Sequence, residues 1–414
     1  MTNNGRVMSL AEAVLPLIRT RADLHRWSAA NAHGSTMHDA IDLLESELHT
    51  VDPAEAYTVT HQALASAIKV IARADDSSGV IGDACRRLLE LHPWVAADAH
   101  VPPAKLVKWM MKFQFDGEVD FFELDPVAYA PALGEPGLRT YRARLDEIRA
   151  ALPPKPDADT WRDPSSHARW VLDWNDRRLA VLDRDIEAII RTHARDRRVA
   201  AWLQDTAEAF AEINEFDLAI DWAQQATDFS PGHQSQHAAE YWCELLAEHR
   251  PAELLNARLT VFRKWPSSST ATRLHTLAAE AWPSLAAEVT DTLSAHPAEA
   301  VTFTLDTLRD PGLAWQLAHD LNLTNDDVWH KLASAYETID PGAALAIHQR
   351  LVDQLLVETN VRNYRYAARS LAHMRTLAAR SGKAAEIDAF IAGLRDTYRR
   401  RPRMLQEFDR ARLP

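Results

Sequence analysis

Three side chains near the middle of the chain have the types and the spacing of a metal site. His233, His237 and Glu240 are separated by four and three residues, so on a helix all three lie on one side. Imidazole nitrogens and carboxylate oxygens bind zinc and similar divalent ions, which makes these residues a candidate metal set. Because His233 directly follows Pro231-Gly232, the alternative is the polar start of an ordinary helix.

A second group of residues that could take part in catalysis or metal binding is acidic. It consists of Glu118, Asp120, Glu123 and Asp125. Paired carboxylates can transfer protons or bind a hard cation. Two phenylalanines and a leucine alternate with the acidic residues between positions 121 and 124. That alternation favours a different interpretation, an amphipathic turn that docks on a core.

The other candidates for catalysis lack a supporting context. Gly79 and Gly82 are not followed by the Lys of a phosphate-binding loop, and the serine run 267–269 has no nucleophile-elbow signature. The two cysteines, Cys85 and Cys243, cannot supply a disulfide framework or a four-thiolate zinc site. The sequence therefore predicts a protein without catalytic activity and without a cofactor.

Charge is distributed unevenly along the chain. The formal net charge of −13 disfavours a nucleic-acid surface over the whole protein. Residues 350–414, however, hold 14 Lys and Arg against 7 Asp and Glu, a net of +7. Arg399, Arg400, Arg401 and Arg403 form a candidate docking site for an acidic partner or a phosphate backbone. The alternative is a solvated last helix whose cations complement the helix dipole.

The elements that must position these residues are helices. Apolar residues recur at helical spacing along nearly the whole chain, and only 12 of 414 residues are glycine, which disfavours turn-rich folds. The sequence Pro153-Pro154-Lys155-Pro156 stops helices and stiffens the connection. We therefore expect an all-α protein with an N-terminal helical domain at 1–152, a proline-rich linker at 153–164 and a helical-repeat domain at 165–414.

Individual helices can be placed in the N-terminal domain. The pattern predicts a helix at Val80–Leu91 that ends before Pro93. A second predicted helix, Pro102–Phe115, starts with two prolines, whose missing N–H groups cost nothing in a first turn. The segment from Gly134 to Gly137 predicts a break before the next helix.

Proline-containing breaks in the second half recur at intervals typical of two-helix repeats. Pro231, Pro266 and Pro297 are 35 and 31 residues apart. Between Trp202 and Pro231, small and aromatic residues fall where a tetratricopeptide (TPR) repeat needs them for close helix packing, and proline closes the unit. The sequence therefore predicts a TPR-like α-solenoid after the linker.

Tryptophan is frequent in this chain, with 13 residues. Trp170 and Trp174 lie one helical turn apart and are candidates for an aromatic-lined groove that binds a peptide. Aromatic side chains also dominate core burial, so packing between repeats is the alternative.

A family resemblance is carried by the second half of the chain. Its segments are LASAYETIDP at Leu332–Pro341, the following ALAIHQRLVDQLL, and the ending from Tyr364 to Leu413. These segments resemble the C-terminal helical repeats of actinobacterial SWIM zinc-finger proteins, over about residues 160–414. Lys105–Ile148 is similar to an actinobacterial helical domain of unknown function. The Cys-x-Cys and Cys-x-His of the SWIM finger are absent, so the resemblance implies the helical scaffold without the finger's zinc or nucleic-acid role.

Two functions of different class fit the sequence. The first is a non-enzymatic scaffold that binds a protein or peptide on the concave face of the solenoid. The second is a nucleic-acid-associated or metal-binding regulatory factor that acts through the basic C-terminus, although the net charge disfavours nucleic acid. The start of the chain shows no signal peptide, and no apolar stretch approaches the ~20 residues of a membrane span. The expected location is therefore the cytoplasm, away from membranes.

Overall fold

The regular secondary structure of this protein is helical. The structure describes residues 9–117, 119–154 and 164–414. In this computed structural model those residues contain no β-strand, which confirms the all-α prediction. None of the described helices combines the length and the apolar character that crossing a bilayer requires. Contacts divide the chain into two compact units, Met1–Gln225 and Ala226–Pro414.

Several helices of the first unit begin at a side-chain cap. Ser9 forms a reciprocal capping box with Glu12, and Asp52 and Asp125 cap helices that continue with proline. Such caps satisfy amide groups that have no partner in a first turn. The helices are α1 (Leu10–Ile18), α2 (Trp27–Glu47), α3 (Pro53–Ile71), α4 (Val80–Asp98), α5 (Pro103–Phe115), α6 (Pro126–Ala151), α7 (Ser166–Leu182), α8 (Ile186–Ile189), which continues as a π-helical turn (Ile190–Ala194), α9 (Ala200–Glu212) and α10 (Phe216–Asp228), whose last turn lies beyond the division at Gln225.

A polar chain runs through the core of the first unit. His92 of α4 is fully buried. Its Nε2 lies 2.9 Å from Nδ1 of His61 on α3, and its Nδ1 lies 2.9 Å from the hydroxyl of Tyr129 on α6. Trp109 of α5 stacks on the His92 ring with 4.4 Å between the ring centroids. Buried hydrogen bonds and ring contacts thereby connect four helices.

Helices from both sides of the predicted linker pack together in the first unit. Tyr141 of α6 donates to Asn175 of α7 at 2.6 Å and accepts from Gln114 of α5 at 2.8 Å. Asn175 donates to Gln114 at 3.0 Å, which closes a buried ring of hydrogen bonds. Residues 155–163 of the predicted linker lie outside the described residues. The division of the chain at Gln225 differs from the predicted boundary because α7 packs on α5 and α6.

Several prolines in the second unit begin helices. Pro297, Pro311 and Pro341 occupy the first helical position, and Asp310 and Asp340 cap two of these helices. A proline that interrupts the pattern thus also sets the start of the next element. The helices are α11 (His233–His249), α12 (Pro251–Lys264), α13 (Ser268–Ala278), followed by a 3₁₀ turn (Ala279–Ala281), α14 (Trp282–Ser294), α15 (Pro297–Asp306), α16 (Pro311–Asp320), α17 (Asp326–Tyr336), α18 (Pro341–Val357), α19 (Val361–Ser381), α20 (Ala384–Thr397) and α21 (Pro402–Arg410).

Helices of the second unit pack on near neighbours in the chain. Beyond the contacts between consecutive helices, α13 contacts α15, α15 contacts α17 and α19 contacts α21. The apolar core is correspondingly local, with clusters that join α12–α15, α15–α18 and α18–α21. This short-range packing brings α17, α18 and α19 together and leaves a groove along them.

Candidate functional site

Two adjoining clefts form a groove between α17 and α19, and α18 contributes residues to both clefts. Their volumes are about 690 and 330 Å³. They share His330 of α17 and Tyr366 and Ser370 of α19. We call the two clefts together the α17–α19 groove.

The larger cleft combines exposed apolar and acidic side chains. Val357, the last residue of α18, is 72% exposed, and Tyr366 is 43% exposed. Asp327 and Glu358 line the same cleft. Neither of these two carboxylates forms an ion pair within the described part of the chain, whereas the neighbouring Asp326 is paired with an arginine. This end of the groove therefore offers apolar surface next to negative charge.

Two arginines flank the ring of Tyr366. The guanidinium groups of Arg362 and Arg369 lie 5.7 and 4.7 Å from its centroid, which are cation–π distances. Arg369 also lines the smaller cleft, and its Nε donates to the carbonyl of Arg365 at 3.4 Å. No described carboxylate pairs with Arg369, so the smaller cleft presents a cation.

Glu337, His348 and His373 meet at the smaller cleft. Glu337 follows the last residue of α17, His348 lies in α18 and His373 lies in α19. Oε1 of Glu337 accepts a hydrogen bond from Nε2 of each imidazole, both at 2.8 Å. One ligand atom from each residue lies within 4.8 Å of the others, and no second group of three such side chains comes this close among the described residues.

The cluster is buried on one side and open on the other. The side chain of His348 is 5% exposed and that of Glu337 is 15% exposed, whereas His373 is 55% exposed. Burial lowers the pKa of the His348 imidazole below its usual value, and the hydrogen bond and charge of Glu337 partly oppose that effect. His348 is therefore a neutral imidazole near pH 7, and the site is accessible from the His373 side.

The metal set predicted from the sequence does not bring its ligand atoms together. His233 and His237 lie at the start of α11, and Glu240 lies about one turn further on. One oxygen of Glu240 accepts from Arg258 at 2.7 Å, and the other oxygen pairs with Arg273. Guanidinium groups occupy the lone pairs that a metal ion would need.

The four arginines of the predicted basic cluster differ in what they contact. Arg401 lies 4.4 Å from the centroid of Tyr398 and donates to a backbone carbonyl at the end of α18 at 2.5 Å. Arg399 lies 3.5 Å from a carboxylate one turn earlier. Arg400 and Arg403 are exposed. Arg401 therefore stabilises the fold, whereas Arg400 and Arg403 show no such structural contact within the described part of the chain.

The two predicted groove tryptophans also differ. Trp174 donates its indole N–H to the carbonyl of Leu124 at 3.0 Å, and Arg177 lies 5.6 Å from its ring. Trp170 is 38% exposed and stacks beside His167. Trp174 therefore contributes to packing inside the first unit, while Trp170 presents part of its ring to solvent.

Asp125, from the acidic group, has structural partners for both oxygens. It caps α6 by accepting from the amide of Val127 at 2.9 Å, and it accepts from Arg178 at 2.9 and 2.8 Å. Arg178 also pairs with Glu212 of α9. Glu118 lies outside the described residues. The contacts of Asp125 agree with the structural interpretation of this segment.

Spacing along the sequence does not predict the cluster of Glu337, His348 and His373, because its members lie on or beside three different helices. Spacing within one helix fixes a face, but the distance between helices depends on packing. A weak signal was present, since His330 and Glu337 are seven residues apart, as are Tyr366 and His373. Each pair lies on one helix face, and both faces line or border the groove.

Residues 14–404 match the sequence profile of a family of unknown function, DUF6880. The chain belongs to this family. The DUF6880 match contains the whole of Lys105–Ile148 and residues 160–404 of the region that resembles SWIM zinc-finger proteins, and it includes the whole α17–α19 groove. No protein with a curated description matches the chain. The resemblance of this DUF6880 protein to SWIM zinc-finger proteins stays a prediction.

Proposed function

We propose that this protein is a non-enzymatic interaction scaffold of TPR-like stacked helices that binds an extended segment of a partner protein in the α17–α19 groove. The observation that carries the proposal is the exposure of Val357 and Tyr366 beside Asp327 and Glu358 in a cleft of about 690 Å³. The partner segment that complements this surface has an aliphatic side chain next to a lysine or arginine.

The order of helix contacts supports the repeat architecture. In stacked two-helix repeats each unit contacts its neighbours, so equivalent helices of successive units pack on one another. The contacts of α13 with α15, of α15 with α17 and of α19 with α21 have this pattern. The resemblance of the second half to the helical repeats of SWIM zinc-finger proteins fits the same architecture.

The chemistry of the larger cleft supports a cationic and apolar ligand. Covering Val357 and Tyr366 removes apolar surface from water, which contributes roughly 25 cal/mol per Å². Asp327 and Glu358 attract a positive side chain and repel an acidic peptide, so they contribute to partner selection more than to raw affinity.

The thiols support a location inside the cell. Cys85 and Cys243 are free and buried, and free thiols persist in the reducing conditions of the cytoplasm. We therefore propose the cytoplasm as the site of action.

Peptide libraries test the proposed binding. One library places Val or Leu next to Lys, and a second replaces each Lys by Glu. We expect fluorescence anisotropy to show binding of the first library and weaker or no binding of the second. Tyr366→Ala should lower the affinity at least tenfold, about 1.4 kcal/mol, and reversing the charges at Asp327 and Glu358 should reverse the preference.

A matched control is available in the same unit. Phe229 is an exposed aromatic residue outside the groove, and Phe229→Ala should bind as the wild type does. Equal binding of the two libraries would contradict the proposed recognition. So would a loss of binding in Phe229→Ala that Tyr366→Ala does not show.

A further inference from the structure

We propose that Glu337, His348 and His373 form a binding site for one divalent transition-metal ion, of which Zn²⁺ is the best match, with a coordination position open to the smaller cleft. The proposal goes beyond peptide binding and rests on a separate set of side chains. It also differs from the metal set at His233, His237 and Glu240, whose carboxylate is held by two arginines.

The donor atoms already converge. Both Nε2 atoms lie 2.8 Å from one oxygen of Glu337, and the three ligand atoms lie within 4.8 Å of one another. Zinc bonds to nitrogen and oxygen are about 2.0–2.2 Å long, so tetrahedral ligands stand roughly 3.3–3.6 Å apart. Small side-chain rotations therefore suffice to bring the three donors into coordination. Each imidazole then binds the ion through Nε2 as the neutral tautomer that carries its single proton on Nδ1.

The electrostatics of the cluster favour a cation. Glu337 is largely buried, and its described partners are the two imidazoles, with no Lys or Arg in contact. The carboxylate of Glu337 is therefore held in a poorly solvated position, where an uncompensated charge is costly. A divalent ion compensates that charge and binds the imidazole nitrogens of His348 and His373, which are common metal ligands.

The ligand number points to an open site. Two histidines and one glutamate supply three donors, and zinc with this donor set keeps a water or another ligand in the fourth position. His373 is exposed to the smaller cleft, which also contains the cation Arg369. The chemical class expected at the open position is therefore water or an anionic oxygen ligand, such as a carboxylate.

A hydrogen-bonded triad without a metal is the alternative role of these side chains. In that case Glu337 would fix two imidazoles for structural reasons, and its loss would change stability without any metal-dependent readout. Direct metal binding therefore separates the two roles.

The experiment uses the full chain after treatment with a chelator and dialysis. Titration with ZnCl₂ in a calorimeter should show one site per chain. Titration with Co²⁺ should give the visible absorption of a low-symmetry cobalt site, and Zn²⁺ should displace it. We expect His373→Ala and Glu337→Gln each to lower zinc affinity by about tenfold or more.

The variants are chosen to keep the fold. His373 is half exposed, and Gln at position 337 retains an oxygen that accepts hydrogen bonds from both imidazoles. Circular dichroism and thermal unfolding verify that each variant is folded. The control is the double variant His233→Ala/His237→Ala, which removes two histidines elsewhere and should bind zinc within about twofold of the wild type. This expectation follows because the structure leaves those residues outside the cluster.

Three results would overturn the proposal. The first is no zinc binding by the wild type, which would leave the hydrogen-bonded triad as the role of these residues. The second is unchanged zinc affinity in both His373→Ala and Glu337→Gln. The third is loss of the site in the His233→Ala/His237→Ala control, which would move the metal to α11. None of these results bears on peptide binding, which is measured in metal-free buffer.

Discussion

At the residue scale, His92 is a fully buried titratable side chain in the core of the first unit. Desolvation, with a smaller contribution from His61, lowers the pKa of His92 to about 3. Its two ring nitrogens lie within hydrogen-bond distance of His61 and Tyr129, and the Trp109 ring stacks on the imidazole. The imidazole is thus neutral in the folded protein over the whole range in which a histidine of the unfolded chain takes up a proton.

That difference predicts acid sensitivity. Below pH 6.5 the unfolded chain binds a proton at His92 that the folded chain does not bind, so stability falls as the pH falls toward about 3. The contribution of this residue is at most about 1.4 kcal/mol per pH unit. We expect His92→Gln, which keeps hydrogen-bonding atoms but does not titrate, to show a shallower loss of stability in urea unfolding between pH 6.5 and 4. Parallel pH profiles for wild type and variant would show that His92 is not responsible.

The two cysteines give a second prediction at this scale. Burial raises the pKa of Cys85 to about 12 and that of Cys243 to about 11. Because the thiolate is the reactive form, we expect neither thiol to react with a disulfide reagent at pH 8 in the folded protein, and both to react in denaturant. Rapid labelling of either residue in the native state, detected by mass spectrometry, would contradict the burial described for it.

At the element scale, local sequence signals place many helix boundaries. The predicted start near Pro102 and end at Phe115 agree with α5, and the predicted break at Gly134 coincides with a non-helical residue inside α6, with φ 56°. The prediction that the helix from Val80 ends before Pro93 is wrong. α4 continues to Asp98, because Pro93 is buried against the core and packing compensates for the lost hydrogen bond.

The cap of α18 gives a prediction for an element. The carboxylate of Asp340 accepts from the amide of Ala343 at 3.0 Å. Removing this cap with Asp340→Ala should destabilise the second unit by about 1 kcal/mol, whereas Asp340→Asn should cost much less, since Asn is an equally good cap. Chemical denaturation followed by tryptophan fluorescence measures the difference. Equal stability of the two variants would show that the cap adds nothing to α18.

At the scale of the whole molecule, helical periodicity and scarce glycine predict the all-α class. The same signals do not predict the cluster of Glu337, His348 and His373. The sequence predicts a metal set on α11 because the four- and three-residue spacings of its histidines and glutamate lie within one helix. It could not pair Glu337 with His348 and His373, because the packing of α17, α18 and α19 creates their proximity. Likewise, the two oxygens of Glu240 are taken by arginines from α12 and α13, which no spacing within α11 reveals.

Local packing in the second unit predicts a local response to damage. Leu332 is fully buried in the cluster that joins α15–α18. Leu332→Ala should cost about 2–5 kcal/mol, and hydrogen exchange should rise mainly in α15–α18. Exchange in α1–α6 should stay at the wild-type level, since those helices share no core cluster with Leu332. A uniform rise across the chain would contradict the local character of this packing.

The buried ring of hydrogen bonds between Gln114, Tyr141 and Asn175 has a consequence for the integrity of the chain. These side chains connect α5 and α6 to α7 without help from the backbone between residues 154 and 164. If a protease recognition sequence is inserted there and cut, the two pieces should elute together in size-exclusion chromatography and separate only in denaturant. Covalent continuity between α6 and α7 would then be dispensable once the protein has folded.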